Sequence, residues 1–290
     1  MRFFLTLMLS GALAHGATFF VTVAGLGGEP EYEQRFSSEA QEIDKLLRAG
    51  NPDAKIQTLY GAQATKAQVI SALSAVAKEA KAADALVLML IGHGSFDGVD
   101  YKINLPGPDL SAIELAGLLD RIPAGRQLVV NMTSASGGSR SSLEKPNRAV
   151  ITATKSGSEK NATIFARYWV EALRDPVADA DKNETVSAQE AFVYAERKTS
   201  QFYETQKRLA TEHPSAGEGP ASQIALLYMG ATQVAANTPE KKALLAHREE
   251  LEQQIDTLKY QKAATDPDEY KKQLQALLLE LAKTQAELDK

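Results

Sequence analysis

Two short polar segments, each following an apolar run, offer a base and a nucleophile. Residues 90–95 read Leu-Ile-Gly-His-Gly-Ser and present His93, and residues 129–138 read Val-Val-Asn-Met-Thr-Ser-Ala-Ser-Gly-Gly and present Ser134. A serine hydroxyl becomes a useful nucleophile when a histidine beside it accepts its proton. Sites of this kind are built where the strands of an open α/β sheet end in loops. The two segments therefore predict a candidate site at these strand ends, with His93 as a base and Ser134 as a nucleophile.

A third polar segment carries oxygen ligands at the spacing of an EF-hand calcium loop. Between residues 179 and 190, oxygen-bearing side chains stand at every second position and a carboxylate stands at the end. These residues are Asp179, Asp181, Asn183, Thr185, Ser187 and Glu190. Glu184 occupies the position that normally requires glycine, because the backbone there is left-handed. Calcium is therefore a candidate ligand, and no cofactor is required by the chemistry of the other site.

The same segment has a purely structural alternative. Ser187 and Glu190 have the spacing of a capping box, which starts a helix without any metal. Acidic residues ahead of a helix N-terminus are favourable because they face the positive end of the helix dipole. The sequence leaves the two interpretations open.

Composition excludes several other classes of site and partner. The chain of 290 residues has no cysteine, four histidines and a formal net charge of -5. A cysteine-ligated zinc site is excluded, and so few histidines disfavour a histidine-rich metal site. We expect no nucleic-acid partner, because a nucleic-acid binder needs a basic face that neutralises phosphates.

The N-terminus has the pattern of a secretory signal peptide. Arg2 precedes a short apolar run, and the segment ends in Ala-Leu-Ala at residues 12–14. We expect cleavage after Ala14 or Gly16 and export to the periplasm or the extracellular space. The apolar run is too short for a membrane-spanning helix, so we expect no membrane span in the mature chain. The alternative is that this segment forms a buried first strand.

Alternating strand and helix signals place both polar segments in an α/β sheet. Apolar or β-branched runs predict strands over residues 18–24, 55–60, 85–91, 126–132, 149–153 and 223–229. Helical patterns lie between them, over residues 38–48, 65–82, 110–120, 161–173 and 188–212. The run over residues 85–91 is almost wholly apolar, as expected for a central strand covered on both faces. We predict a mostly parallel sheet with helices on both sides.

The chain changes character after Gly230. Residues 238–290 are rich in Glu, Lys, Gln and Leu, and their leucines recur at the spacing of a coiled-coil seam. Pro267 interrupts the pattern and favours a new helix start. We predict a two-helix hairpin that packs on the core, mediates self-association or binds a partner.

The two polar segments resemble those of the caspase and legumain family of cysteine peptidases, in its bacterial legumain-like branch. There, a histidine follows the third strand and the catalytic cysteine follows the fourth, in a context such as Asp-Ala-Cys-x-Ser-Gly. Gly-His-Gly at residues 92–94 and Ser-Ala-Ser-Gly at residues 134–137 match these two motifs. Residues 148–173 and 179–198 resemble the family's later elements, so the resemblance extends over roughly residues 18–232.

The resemblance implies a three-layer caspase-like fold with a mostly parallel six-stranded sheet. The signal peptide then covers residues 1–16, the peptidase-like domain 17–232 and the helical hairpin 238–290. In the site, it implies His93 as the base, Ser134 at the nucleophile position and the Gly94 amide, with the amide of residue 134, as the oxyanion hole. Arg35, Lys155 and Ser156 are the candidate substrate-binding residues.

Serine at the nucleophile position separates this chain from the family. A cysteine thiol readily forms a thiolate beside histidine, whereas a serine hydroxyl usually needs a histidine that a carboxylate orients. Asp97 and Asp100 follow His93 and are the nearest carboxylates in sequence. We favour a non-catalytic homologue that binds a peptide or protein. The alternative is an active hydrolase that uses His93 and Ser134 for acyl transfer on peptide bonds.

Overall fold

A sheet of six strands lies at the centre of the computed structural model, which describes residues 16–217, 219, 223–230 and 239–288. In chain order, the strands and helices are β1 (Thr18–Ala24), α1 (Pro30–Gly50), β2 (Lys55–Leu59), α2 (Lys66–Glu79), β3 (Ala85–Ile91), β4 (Gly94–Phe96), β5 (Tyr101–Ile103), β6 (Leu110–Ser111), α3 (Ala112–Leu119), β7 (Arg126–Asn131), α4 (Arg140–Leu143), β8 (Arg148–Thr152), α5 (Phe165–Arg174), β9 (Thr185–Ser187), α6 (Ala188–Thr205), β10 (Ser215–Ala216), β11 (Ala225–Tyr228), α7 (Pro239–Tyr260) and α8 (Pro267–Leu288). The predicted signal peptide lies almost entirely outside the described residues.

The central sheet has the strand order β2-β1-β3-β7-β8-β10. The first five strands are parallel, and β10 runs antiparallel to β8 at the edge. Because β3 and β7 are parallel neighbours, their carboxyl ends meet at one edge of the sheet. The fold therefore brings the segments after Ile91 and Asn131 together.

Helices cover the sheet on both faces, which confirms the predicted α/β fold. On one face, Val87 and Met89 pack in a cluster that includes residues of α1, α5 and α6. On the other face, Leu86 and Leu88 pack in a cluster that includes residues of α2 and α3. All seven residues of β3 are buried. Each fully buried aliphatic side chain of this kind contributes about 1.5–3 kcal/mol, so the two clusters stabilise the sheet.

Helix α1 begins at Pro30, eight residues before the predicted start at Ser38. Proline suits the first turn of a helix because its φ angle is already helical and its missing amide proton is not needed there. Glu31 and Glu33 also favour this start, because their charges face the positive end of the helix dipole. The earlier start is important for the site, because it places Tyr32 and Phe36 on one face of the helix.

Two expectations about the later elements were wrong. The predicted strand over residues 223–229 forms β11, but it pairs with β9 outside the central sheet. The sixth strand of the sheet is β10, whose two residues are too few to give a sequence pattern. Helix α6 ends at Thr205 and not at Glu212. The carboxylate of Glu212 instead accepts hydrogen bonds from the amides of Ile164 and Phe165 at the start of α5.

A small antiparallel sheet of β4, β5 and β6 follows the central strand β3 directly. Gly94 pairs with Ile103 and Phe96 pairs with Tyr101, so β4 and β5 form a hairpin. Strands β4 and β5 pack against the 3-10 turn over Ser136–Ser139. This β4–β5 hairpin therefore lies above the carboxyl end of β7.

Helices α7 and α8 pack against each other as an antiparallel pair. Lys241 at the start of α7 donates to the carbonyl of Leu288 at the end of α8, and Arg248 donates to Gln285 Oε1 at 3.2 Å. This helical hairpin is consistent with the leucine pattern after residue 238. Among the described residues, no helix is long and apolar enough to cross a membrane.

Candidate active site

His93 lies just beyond the carboxyl end of β3, and two aromatic rings of α1 hold its side chain. The rings of Tyr32 and Phe36 stand edge-on to the imidazole, with centroids 4.8 and 5.1 Å away. Partial burial and the positive charge of Arg35 hold the pKa of His93 below its ordinary value. The imidazole is therefore neutral at pH 7 and available as a proton acceptor.

Ser134 lies just beyond β7 and is 2% exposed. Its hydroxyl oxygen accepts a hydrogen bond from the Gly94 amide at 3.0 Å and donates one to the Gly94 carbonyl at 3.1 Å. The Gly94 amide is the donor that the resemblance assigns to the oxyanion hole. The serine hydroxyl thus takes the hydrogen bond that an oxyanion would need.

The described residues contain no hydrogen bond between the His93 ring and Ser134, and no carboxylate within ion-pair distance of that ring. Asp97 Oδ1 accepts hydrogen bonds from the amides of Val99 and Asp100, and these bonds close the turn of the β4–β5 hairpin. Among the described contacts, neither Asp97 nor Asp100 bonds to the histidine. The structure therefore brings the base and the hydroxyl to neighbouring strand ends without the orienting carboxylate that serine catalysis usually requires.

A buried polar network supports the turn that carries Ser134. The Tyr101 hydroxyl bonds to Thr133 Oγ1 and donates to Asn131 Oδ1, and Asn131 Nδ2 donates to Ser139 Oγ. Burial raises the pKa of Tyr101 to about 12, so its hydroxyl stays protonated. Because these groups satisfy one another in the core, the network fixes the backbone on both sides of Ser134.

The chain reverses sharply at Ser134. Ala135 has φ of 55°, in the left-handed region, and its amide donates to the Glu159 carbonyl at 2.7 Å. Gly137 lies against the backbone of Lys155 and Ser156, where a side chain would collide. The turn after β7 and the loop after β8 therefore form adjoining walls at the sheet edge.

The three predicted substrate-binding residues lie on two sides of this edge. Arg35 lies over the rings of Tyr32 and Phe36, and its guanidinium donates to the Thr163 carbonyl at 3.0 Å. Lys155 is exposed, and Ser156 is half-buried in the loop after β8. Arg35 is thus held by α1 and the segment before α5, whereas Lys155 and Ser156 lie next to the Ser134 turn.

Sequence reasoning missed the aromatic residues of the site. Tyr32 and Phe36 are four residues apart after Pro30, which is the spacing of one helix face, and this pattern was readable. Tyr101 and Phe96 lie in short strands with no comparable signal. Their contacts depend on how the β4–β5 hairpin folds back over β7.

The candidate calcium loop brings three carboxylates together. Asp179, Asp181 and Glu190 each offer an oxygen, and these oxygens lie within 4.8 Å of one another. Glu184 adopts φ of 59°, so it takes the left-handed backbone that the loop pattern requires at this position. The clustered oxygen donors suit a hard cation such as calcium.

The rest of the predicted ligand set has other partners. Ser187 and Glu190 form the capping box of α6, as the structural alternative requires. Thr185 Oγ1 accepts a hydrogen bond from Arg248 at 2.6 Å, and Arg248 also donates to the Asn183 carbonyl at 2.9 Å. The capping box and the carboxylate cluster therefore coexist, and the helical hairpin docks on the same loop through Arg248, which is 3% exposed.

Fold and site together define a three-layer α/β protein with a histidine and a serine at adjacent strand ends. No family model matches the chain, and no curated protein matches it. Protein GSU0716 from Geobacter sulfurreducens is similar in structure, with 15% identity and a TM-score of 0.50 over 74% of this chain and 100% of its own. Caspase-1 from Spodoptera frugiperda has 12% identity and a TM-score of 0.48 over 70% of this chain and 86% of its own.

Proposed function

We propose that this chain is an exported, peptidase-like protein of the caspase and legumain type that binds a peptide or protein without cleaving it. The sheet order and the placement of His93 and Ser134 at adjacent strand ends support the relationship. The signal-peptide pattern at residues 1–16 supports export to the periplasm or the extracellular space.

The paired hydrogen bonds between Ser134 and Gly94 carry the non-catalytic part of the proposal. A nucleophilic serine must pass its proton to a base and leave the oxyanion donors free for the substrate. Here the hydroxyl proton points to a backbone carbonyl, which is not a base, and the hydroxyl oxygen occupies the Gly94 amide. Both requirements for acyl transfer are therefore unmet in this arrangement.

The alternative is an active hydrolase with a His93 and Ser134 dyad. The depressed pKa of His93 favours it, because a neutral imidazole is the form that accepts a proton. Activity would require Ser134 Oγ to leave Gly94 and turn towards the imidazole. Fluorophosphonate labelling of the natural chain and of Ser134→Ala separates the two candidates.

Calcium is proposed as a structural ligand of the loop over residues 179–190. The convergence of Asp179, Asp181 and Glu190 supports it. A cation there would neutralise the carboxylates of Asp179, Asp181 and Glu190. It would also link the start of α6 to the preceding loop through shared ligands. The proposed site lies on a different element from Ser134 and supplies no step of any reaction.

Self-association through the helical hairpin is the remaining part of the proposal. Leu278 and Leu279 on α8 are 47% and 59% exposed. Burial of these two leucines against a second copy would remove their apolar surface from water, which favours association. Sedimentation of the Leu279→Gln variant against the natural chain tests it, since loss of a dimer is expected only if this surface mediates association.

Peptide binding is tested by selecting displayed random peptides on the immobilised mature protein. Ser156 lies in the loop wall next to the Ser134 turn, so Ser156→Trp should block the proposed binding site. Ser71 is exposed on α2 and gives the matched control Ser71→Trp. We expect selected peptides to bind the natural chain and the control alike and to bind Ser156→Trp roughly tenfold more weakly, the loss of about 1.4 kcal/mol. Equal binding to both tryptophan variants would contradict the proposed location.

A further inference from the structure

Phe96 lies in a slot between the two loops that border Ser134. Its ring packs against Gly138, where an added Cβ would lie 2.6 Å from the ring, and against Gly157, where an added Cβ would collide with it. Gly138 belongs to the turn after β7, and Gly157 belongs to the loop after β8. The slot exists because neither wall carries a side chain at this point.

The β4–β5 hairpin delivers Phe96 to this slot. Phe96 is two residues after Gly94, whose backbone holds the Ser134 hydroxyl. The hairpin turn is closed by Asp97, and its tip at Val99 is 86% exposed. The β4–β5 hairpin therefore carries both Gly94, whose backbone is hydrogen-bonded to Ser134, and Phe96, whose ring fills the neighbouring slot.

We propose that the slot between Gly138 and Gly157 is an aromatic side-chain subsite of the Ser134 site, and that Phe96 is its internal occupant. The inference rests on the proposed peptide-binding function, because it names the class of side chain that the site takes. When the Phe96 side chain turns out of the slot, an aromatic residue of the bound peptide takes its place, and Gly94 keeps its hydrogen bonds to Ser134.

The shape of the slot selects this class of ligand. Two glycine walls leave a narrow gap that a flat ring fills, whereas a branched aliphatic side chain is thicker than a ring edge. Phe96 also packs against the apolar cluster on this face of the sheet, so the slot has an apolar floor. Burial of an aromatic ring there is favourable by the hydrophobic effect and replaces the contact that Phe96 gives up.

The absence of cysteine from the chain provides a direct test. Ser134→Cys introduces a single thiol, and its labelling by methyl methanethiosulfonate and by benzyl methanethiosulfonate is followed by intact mass. Three proteins are compared: Ser134→Cys alone, Ser134→Cys with Phe96→Ala, and Ser134→Cys with Val99→Ala. The Val99→Ala protein is the matched control, because Val99 lies at the exposed hairpin tip. Phe96→Leu, which keeps apolar volume, serves in place of Phe96→Ala if circular dichroism shows that the alanine variant is unfolded.

We expect slow labelling of Ser134→Cys by both reagents, because the position is buried. Phe96→Ala should accelerate labelling by the methyl reagent roughly tenfold, as expected when local opening becomes easier. It should also raise the benzyl-to-methyl rate ratio by roughly fivefold, because the vacated slot accepts the ring. Val99→Ala should change neither rate.

Two results would overturn the inference. Unchanged labelling in the Phe96 variant would show that the ring does not cover the site, and equal acceleration by both reagents would show that the slot does not favour an aromatic group. The labelling rates do not depend on peptide binding. Failure of the peptide selection therefore counts against the proposed function, and failure of the rate ratio counts against the subsite.

Discussion

Ser134 Oγ is hydrogen-bonded to both backbone groups of Gly94, at 3.0 Å from the amide nitrogen and 3.1 Å from the carbonyl oxygen. The two residues are 40 positions apart in the chain but adjacent in space, because β3 and β7 are neighbouring strands. This contact occupies the amide that the resemblance assigns to the oxyanion hole. It is the observation on which the proposal of binding without cleavage rests.

Gly94 has no room for a side chain, so we expect its substitution by alanine to affect stability differently from the same substitution at Gly117. A Cβ at Gly94 would lie 2.5 Å from the carbonyl oxygen of Ser134 and from the ring of Tyr101, whereas a Cβ at Gly117 in α3 meets open space. We expect Gly94→Ala to lower the free energy of unfolding by about 1–3 kcal/mol through overpacking. Gly117→Ala should raise it by about 0.5–1 kcal/mol through helix propensity. Urea denaturation measures both, and equal effects would mean that the turn relaxes around Gly94.

We expect Arg248 to hold the helical hairpin on the loop over residues 179–190. Its buried guanidinium donates to the Asn183 carbonyl and to Thr185 Oγ1, so Arg248→Ala leaves two acceptors of the loop over residues 179–190 without this donor. We expect the variant to be cleaved within α7 and α8 at a trypsin concentration that leaves the natural chain intact. Lys272→Ala, on the exposed surface of α8, is the control and should be protected like the natural chain. Equal protection of the Arg248 variant would place the docking energy elsewhere.

The acidic loop predicts a calcium-dependent melting temperature. Partial desolvation within the loop, together with the charges of Glu190 and Asp179, raises the pKa of Asp181 to about 6. Because this pKa exceeds the ordinary value, ionisation of Asp181 destabilises the metal-free fold, whose melting temperature should rise as the pH falls from 7 to 5. At pH 7, millimolar calcium should raise the melting temperature relative to EDTA, because a cation that binds only the folded loop stabilises the fold.

Asp181→Asn separates the two contributions in this loop. The variant should melt at a higher temperature than the natural chain in EDTA, because one of three repelling charges is gone, and it should lose the calcium response. Asp268→Asn, in the exposed first turn of α8, should keep that response. A calcium shift that survives in Asp181→Asn would refute the proposed ligand set.

A buried glutamate on α1 predicts the pH dependence of stability. Burial raises the pKa of Glu39 to about 7, against the opposing charges of Arg35 and Arg167, and burial likewise raises the pKa of Glu212 to about 7. The folded state therefore binds protons that the unfolded state releases between about pH 4.5 and 7. The free energy of unfolding should fall as the pH rises through this window, by up to about 3 kcal/mol for Glu39 alone.

Glu39→Gln tests this assignment because glutamine keeps the shape without the charge. Urea denaturation at pH 5 and pH 8 should show a smaller pH-dependent loss of stability in the variant than in the natural chain. Glu212 continues to titrate, so part of the slope should remain. An unchanged slope would show that Glu39 does not ionise in this pH range.

The central part of the fold could be predicted because its signals are local. The apolar runs of β3 and β7 indicate two buried strands, and their parallel pairing in the structure puts His93 and Ser134 at adjacent strand ends. Ser111 and Ser187 start α3 and α6 through capping boxes that are readable as short spacings. By contrast, β10 has two residues, and its pairing with β8 depends on tertiary packing.

The state of the site could not be predicted, because it depends on contacts between distant segments. The carboxylate of Glu212 caps α5 by accepting a hydrogen bond from the amide of Ile164, which is 48 positions away in the chain. Phe96 enters a slot whose walls come from two other loops. The sequence therefore located the strand ends but not the hydrogen bonds made there.

Labelling of the mature protein with a fluorophosphonate probe tests the non-catalytic assignment most directly, because the probe reacts only with an activated serine. The natural chain is compared with Ser134→Ala, and a known serine hydrolase in the same tube confirms that the probe is reactive. We expect no labelling of either form, because the Ser134 hydroxyl donates to the Gly94 carbonyl and not to a base. Labelling of the natural chain that disappears in Ser134→Ala would contradict this account and establish Ser134 as a nucleophile.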